Sequence, residues 1–279
     1  MTLRFAIRDD DICFHTNSKM LHELYSDISK VCPVSFSCIP LVGGYDVDNY
    51  TPNKWSQLDS QWRLWQTREI LPLGENRALV TLLKDWCTSG QATIMLHGIH
   101  HDLYEFVRDK DFTREIQEAK QYLEELFVRP VVTCSPPNNS LGKQATLGLI
   151  RNGFNILTAF GHLPKERPAS VRNYLNFLRL IILYSRYGRR YRLRRTLNFG
   201  NHEEQGCYVI GPSTKFADLI SGLEYALRRG GNFVVATHYY HLSANPALLE
   251  MLSDLVVFAS KQSRRKVDFV TAEKLFGKR

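Results

Sequence analysis

Leu3-Arg4-Phe5-Ala6-Ile7-Arg8-Asp9-Asp10-Asp11 opens the chain with an apolar, β-type run that ends in three consecutive carboxylates. Two later stretches repeat the arrangement. Residues 92–96 run into His97-Gly98-Ile99-His100-His101, and residues 233–236 run into Thr237-His238-Tyr239-Tyr240-His241. In α/β folds, polar residues just past the C-terminal ends of parallel strands gather on one face, where active sites are built. Acids and imidazoles from three strand ends therefore predict one site that binds a metal and moves protons, the chemistry of metal-assisted hydrolysis.

Outward from these strands, β-type and helical runs alternate. A helix is expected over 18–30, with Ser18 as its cap and Met20, Leu21, Leu24, Tyr25 and Ile28 on one face. A strand follows at 34–40, a helix at 77–86 and the second site strand at 92–97. An amphipathic helix spans 113–127, and a strand at 131–134 leads into Ser135-Pro136-Pro137-Asn138-Asn139. Then come a helix near 141–152, strands at 155–160 and 207–210, helices at 214–229 and 246–260, and a last strand at 266–271. Seven or eight β-α units in order, with no repeat and no linker, predict a parallel barrel formed by a single domain over 1–279. Two stretches break the pattern: a Trp-rich loop at 43–75, and a basic insertion at about 162–205.

The composition fits such a domain. At 279 residues, 44% hydrophobic and 23% charged, the chain can bury one large core and is no collagen, coiled coil or disordered tail. Six cysteines without CxxC spacing read as buried thiols of a reducing compartment, not as a zinc-thiolate cluster. No basic n-region precedes an apolar core at the N-terminus, so a cytoplasmic protein is expected. The longest apolar stretch, 175–184, is broken by Asn176 and Arg179 and is too short to span a bilayer. The net charge of +8 is largely local: 186–195 reads Arg-Tyr-Gly-Arg-Arg-Tyr-Arg-Leu-Arg-Arg, with no acid. A solvated face is its default reading. Peripheral contact of 174–195 with an anionic membrane comes next, because Tyr174, Leu175, Phe177, Leu178, Ile181, Ile182 and Tyr184 precede the cations. Nucleic acid comes third, since no recognised module surrounds the run.

His97 and His101 are spaced i,i+4, which on a helix or a turn off a strand brings both imidazoles to one side. Zinc in hydrolases takes three protein ligands and keeps one position for water. Adjacent carboxylates suit a division of labour, one on the metal and one taking a proton. A bound metal lowers the pKa of water from 15.7 to about 7, worth roughly 12 kcal/mol at about 1.36 per unit. Glycosidic cleavage needs two carboxylates flanking the bond, which adjacent Asp10 and Asp11 fit poorly.

This order of motifs resembles the polysaccharide deacetylase superfamily, closest to its divergent DUF2334-like branch, which carries Arg-x-Asp-Asp and His-Gly-x-x-His. The resemblance implies a distorted (β/α)7 barrel of the NodB-homology type. It also implies a metal-dependent hydrolase, with Zn2+ the expected ion, that removes N- or O-linked acetyl groups from a carbohydrate or a lipid-linked sugar. By position, Asp10 resembles the general base, Asp11, His97 and His101 the metal ligands, and His238 the general acid. Pro137, Asn138, Asn139 and His241 are the expected substrate-binding residues. Three departures stand out. Ser135 occupies the place of an Arg that usually precedes the Pro and orients the base. A shift of one residue would make Asp9 the base and Asp10 the ligand. His241 competes with His238. The alternative is a catalytically degenerate barrel that binds polysaccharide or a membrane. Of the remaining histidines, His100 is expected to point away, His15, His22 and His202 to lie on the surface, and His162 to be a candidate for the pocket wall. Trp55, Trp62 and Trp65 either stack on sugar rings or pack their loop.

Overall fold

The computed structural model describes residues 2–44, 68–102, 105–158, 193–262 and 267–277, with single positions between 171 and 188. Its strands in chain order are β1 (Leu3–Ile12), β2 (Val34–Cys38), β3 (Leu41–Gly43), β4 (Ile70–Pro72), β5 (Ala92–Leu96) and β6 (Thr133–Cys134). They continue with β7 (Asn155–Thr158), β8 (Leu197–Asn198), β9 (Glu203–Gly206), β10 (Tyr208–Val209), β11 (Gly231–His238) and β12 (Val267–Phe269). Parallel pairing runs β10-β11-β1-β2-β5-β6-β7-β9. Only Cys207 separates β9, which pairs with β7, from β10, which pairs with β11. One kinked strand therefore serves both neighbours and closes the ring β1-β2-β5-β6-β7-β9/β10-β11. That is the distorted seven-stranded barrel, its distortion concentrated in the two-residue β6 and in the kink.

Strand alternation sorts side chains between two cores. Phe5, Ile7, Phe233 and Val235 join the large cluster under the helices, while Ala6, Met95, Leu157, Cys207, Val234 and Ala236 fill the barrel. The small residues in the second set match the narrow interior of so few strands. The floor is plugged by a 3-10 turn, Ala272–Leu275, and by Phe276. β12 pairs with the first residues of β1, below the point where β2 begins.

Helices α1 (Ser18–Tyr25), α2 (Ile28–Val31), α3 (Arg77–Thr88), α4 (Thr113–Phe127), α5 (Lys143–Arg151), α6 (Phe216–Arg229), α7 (Tyr239–Ala244) and α8 (Pro246–Ser260) surround the ring. In α4 the buried residues are Ile116, Ala119, Leu123 and Phe127, one stripe whose larger members each contribute about 1.5–3 kcal/mol on burial. The helix expected over 18–30 is instead two pieces. The Ser29 hydroxyl donates to the Ser26 carbonyl, a local bond that competes with the helical ladder at the break. Its cap is Asn17, whose side chain accepts from the Met20 N–H, one residue before the expected Ser18. The ends of the 43–75 loop pair as the antiparallel strands β3 and β4. Trp55, Trp62, Trp65 and His162 lie outside the described residues. All six cysteines are free thiols, five of them buried. Among the described residues, no helix is long and apolar enough to cross a membrane.

The basic run is not uniformly solvated. Arg194 is buried, and its guanidinium donates to the carbonyls of Arg229 and Gly230 at the C-terminus of α6 while stacking on Tyr225. There it satisfies carbonyls that the helix itself cannot. Arg194→Ala is expected to cost about 2–4 kcal/mol and Arg195→Ala, at an exposed position, about 0.5 or less, as read by urea unfolding.

Candidate active site

The site sits at the C-terminal ends of β1, β5, β6 and β11. Along β1, alternation points Arg8 and Asp10 into the barrel and Asp9 towards α1. Asp9 is fully buried there and accepts hydrogen bonds from the hydroxyl of Tyr25, the Thr237 hydroxyl at 2.8 Å and the Tyr239 N–H at 3.2 Å. Burial pushes its carboxyl up to about 7 against those bonds. At Asp11 the backbone turns left-handed, with φ +70°, and the register against β2 slips between Asp9 and Ile12. This bulge turns Asp11 inward beside Asp10. Asp10 and Asp11 thus face the cleft, and Asp9 does not.

Arg8, 0% exposed, places its guanidinium 2.6 Å from Asp10 Oδ2, 2.7 Å from the Leu157 carbonyl and 3.3 Å from Asn139 Oδ1. Burial would raise the Asp10 carboxyl, but Arg8, with His97 and His238, outweighs it and holds the group below the usual carboxylate range. Arg8 thus puts on Asp10 the charge that an Arg at position 135 would otherwise carry. Asp10 Oδ1 is buried without a hydrogen-bond partner among the described residues.

His97 and His101 are held by a tight loop and not by a helix. Gly98 has φ +72°, and a Cβ there would lie 2.4 Å from both Glu105 Oε2 and Pro137 Cγ. Glu105, itself buried, accepts the N–H groups of Ile99 at 3.0 Å, His100 at 2.8 Å and His101 at 3.1 Å. Its carboxyl is raised by burial, although these bonds oppose the shift. His101 is also left-handed, at φ +64°. His97 Nδ1 donates to the Ser135 carbonyl at 2.7 Å, which fixes the ring with its Nε2 turned inward to Asp11. His100 turns away, its Nδ1 donating to the Leu41 carbonyl.

Asp11 Oδ1 lies 2.9 Å from His97 Nε2 and 2.9 Å from His101 Nε2, which are 3.1 Å from each other. Tetrahedral zinc with bonds near 2.0–2.1 Å separates its ligand atoms by about 3.3 Å, so the donor set fits such an ion with little movement. Burial opposes ionisation of Asp11, but His101 and His97 hold it well below the normal range. Its second oxygen, Oδ2, accepts from the Tyr240 hydroxyl at 2.9 Å and lies 3.6 Å from His238 Nε2. The cleft, about 240 Å³, is lined by Asp10, Asp11, His97, His101, Asn138, Asn139, His238 and Tyr240.

Of the residues expected to bind substrate, Asn138 and Asn139 line the cleft, on successive left-handed residues at φ +53° and +50°. Pro137 is buried behind them against Gly98, and His241 packs on Tyr240 and His238 without lining the cleft. Sequence reading assigned no role to Arg8, Glu105 or Tyr240. Arg8 carried a usable signal, since i,i+2 on a strand shares a face with Asp10. Glu105 carried none. His202, expected on the surface, is buried: its Nε2 meets Glu204 Oε1 at 2.7 Å and its ring stacks on Phe199. The β8–β9 hairpin folds this pair inward.

No protein-family model matches the chain, and no curated protein does. Solved structures do. A putative polysaccharide deacetylase from Mycobacterium smegmatis superposes over 98% of this chain and 88% of its own, at 12% identity and TM-score 0.54. A family 4 acetyl xylan esterase from Clostridium thermocellum, solved with a cobalt ion, covers 98% and 90% at 11% identity and TM-score 0.50. A 4-alpha-glucanotransferase from Thermococcus litoralis reaches TM-score 0.56 at 10% identity, over 99% of this chain and 40% of its own. The fold is that of the polysaccharide deacetylase barrels. Since a glucanotransferase shares it, the choice of chemistry rests on the site.

Two outcomes follow from the loop geometry. Gly98→Ala is expected to lower stability by about 2–4 kcal/mol in thermal unfolding. Asp9→Asn, on the outer layer, is expected to lower stability in the same measurement while leaving the circular dichroism spectrum unchanged.

Proposed function

We propose that the chain is a metal-dependent carbohydrate deacetylase of the DUF2334-like branch, acting on N- or O-acetyl groups. The observation that supports it most is the buried Asp11-His97-His101 set with a second carboxylate, Asp10, beside it and held by a guanidinium. Those three residues would hold a divalent ion, Zn2+ by donor chemistry. When bound, such an ion acidifies water and polarises an acetyl carbonyl.

The chain's own groups divide the remaining tasks. Arg8 occupies Asp10 Oδ2 and leaves Oδ1 to accept the proton of the attacking water. Asp10 is ionised at neutral pH because Arg8 outweighs its burial, so the base is ready without prior deprotonation. Tyr240 engages Asp11 Oδ2 and leaves Oδ1 towards the two histidines. His238, partly open to the cleft at 23% side-chain exposure, protonates the departing amine or alkoxide. Asn138 and Asn139 offer side-chain amides to sugar hydroxyls. The acetylated carbohydrate is free or lipid-linked in this reading; the second form requires the chain to reach a membrane surface, a contact that residues 174–195 have the composition to make. A degenerate barrel draws its support from Ser135 in the Arg position, and Arg8 removes that support.

Metal content is the first test. Protein purified without added metal should carry near-stoichiometric zinc or another divalent ion, lost in His97→Ala, by mass spectrometry. Wild type that stays metal-free after zinc is added back would overturn the reading. On acetylated chito-oligosaccharides and acetylated xylan, Asp10→Asn should keep its metal and lose about 10²–10⁴-fold in kcat. His238→Ala should lose more than His241→Ala.

The pH dependence has a definite sign. Arg8 lowers the Asp10 pKa, so Arg8→Met removes the largest opponent of burial, leaves only His97 and His238 against it, and raises the pKa. The acidic limb of kcat/KM should then move to higher pH than in wild type, with activity lost from neutral pH downwards. An unshifted limb would separate Arg8 from the base.

A further inference from the structure

Between β7 and β9 the chain presents an apolar surface that nothing in the barrel uses. Residues 171, 174, 175, 178 and 182 are helical, and their spacing places them on one face. All five are large, apolar and exposed: Val171 78%, Tyr174 61%, Leu175 59%, Leu178 38% and Ile182 62%. The packed helix α4 does the opposite and turns Arg114, Gln117, Glu118, Gln121 and Glu125 to solvent. An outward apolar stripe of this size on a crossover segment marks a surface that meets something.

Charge indicates what it meets. Residues 171–195 contain eight arginines and no lysine, aspartate or glutamate. Arg194 is committed to α6, and the other seven are not needed there. A nucleic acid would answer the arginines but leave the apolar stripe in water. A second copy would bring one acid-free arginine segment against another. A bilayer carrying anionic headgroups answers both at once, with acyl chains for the stripe and phosphates for the cations. We propose that residues 171–195 dock the protein, peripherally, on an anionic membrane.

The segment leaves the barrel at Thr158, the C-terminal end of β7, which is also the end that carries the cleft. The proposal itself needs no turnover, so failure of the deacetylase reading would leave it standing.

The test is flotation of the full chain with vesicles of phosphatidylcholine alone and of phosphatidylcholine mixed with phosphatidylglycerol, with and without salt. Co-flotation is expected with the anionic vesicles only, weakened by salt. Leu175→Glu combined with Ile182→Glu, and separately Arg189→Glu combined with Arg190→Glu, should each weaken binding by about tenfold or more. Both variants should retain the wild-type circular dichroism and melting temperature. No flotation with anionic vesicles would overturn the proposal. So would binding that survives the apolar substitutions and is displaced by single-stranded RNA, which would mark a nucleic-acid surface. A concentration-dependent dimer, abolished by Leu175→Glu with Ile182→Glu and indifferent to lipid, would overturn it in favour of self-association.

Discussion

At Asp11 the first strand leaves the extended region and its register against β2 slips, so two adjacent carboxylates face the same cavity. A regular strand cannot do this, because neighbouring side chains point to opposite faces. A left-handed non-glycine residue costs about 1–2 kcal/mol and persists only where its surroundings hold it. Here they hold it from both sides. Asp9, one step out of the bulge, is pinned to Tyr25, Thr237 and the Tyr239 backbone, which locks the end of β1 to β11 and α7. Asp11 itself is gripped by Tyr240 and faced by two imidazoles. In the proposed reading the three aspartates divide into an anchor, a base and a metal ligand, one role each.

The electrostatics follow from that arrangement. Asp9 moves towards neutrality because burial dominates its surroundings, whereas Asp10 and Asp11 stay ionised because cationic or hydrogen-bonding groups outweigh burial. An ion held by Asp11, His97 and His101 would need both imidazoles neutral, and the inner cluster would then hold one guanidinium against two carboxylates, a net negative charge beside converging lone pairs. That is a poor environment for a bare buried carboxylate, since an unpaired ion in a low-dielectric interior costs several kcal/mol. A divalent cation among Asp11, His97 and His101 relieves it.

Much of this was legible from local pattern. Helices 113–127 and 246–260 were readable to the residue: the first has a clear apolar periodicity, and the second is a long apolar run with Pro246 at its first turn behind the Asn245 cap. The strand-end motifs gave the site because β-type runs immediately precede them. Elsewhere the pattern was silent. Three identical carboxylates in a row carry no mark of which one the bulge will turn inward. Glu105 lies beyond the histidine loop it organises, and only the folded loop brings its carboxylate onto three N–H groups. His202 and Arg194 looked solvated because polar residues surround them in sequence, while their partners, Phe199 with Glu204 and the end of α6, come from tertiary structure.

In the proposed reading Arg8 stands in for the missing motif arginine. A carboxylate base needs a positive charge at a point in space near one of its oxygens, and the barrel's upper interior can be reached from any strand. From β1 itself, two residues before Asp10, the guanidinium reaches Asp10, the β7 carbonyl of Leu157 and Asn139 on the loop after β6. A charge delivered from the same strand as the base moves with it, so the pair keeps its geometry even if the Pro-Pro loop shifts. An arginine on that loop would couple the base to the loop's position. With the cation on the strand, Asp10 is held by its own strand, and the same guanidinium ties Asn139 of the loop to that pair.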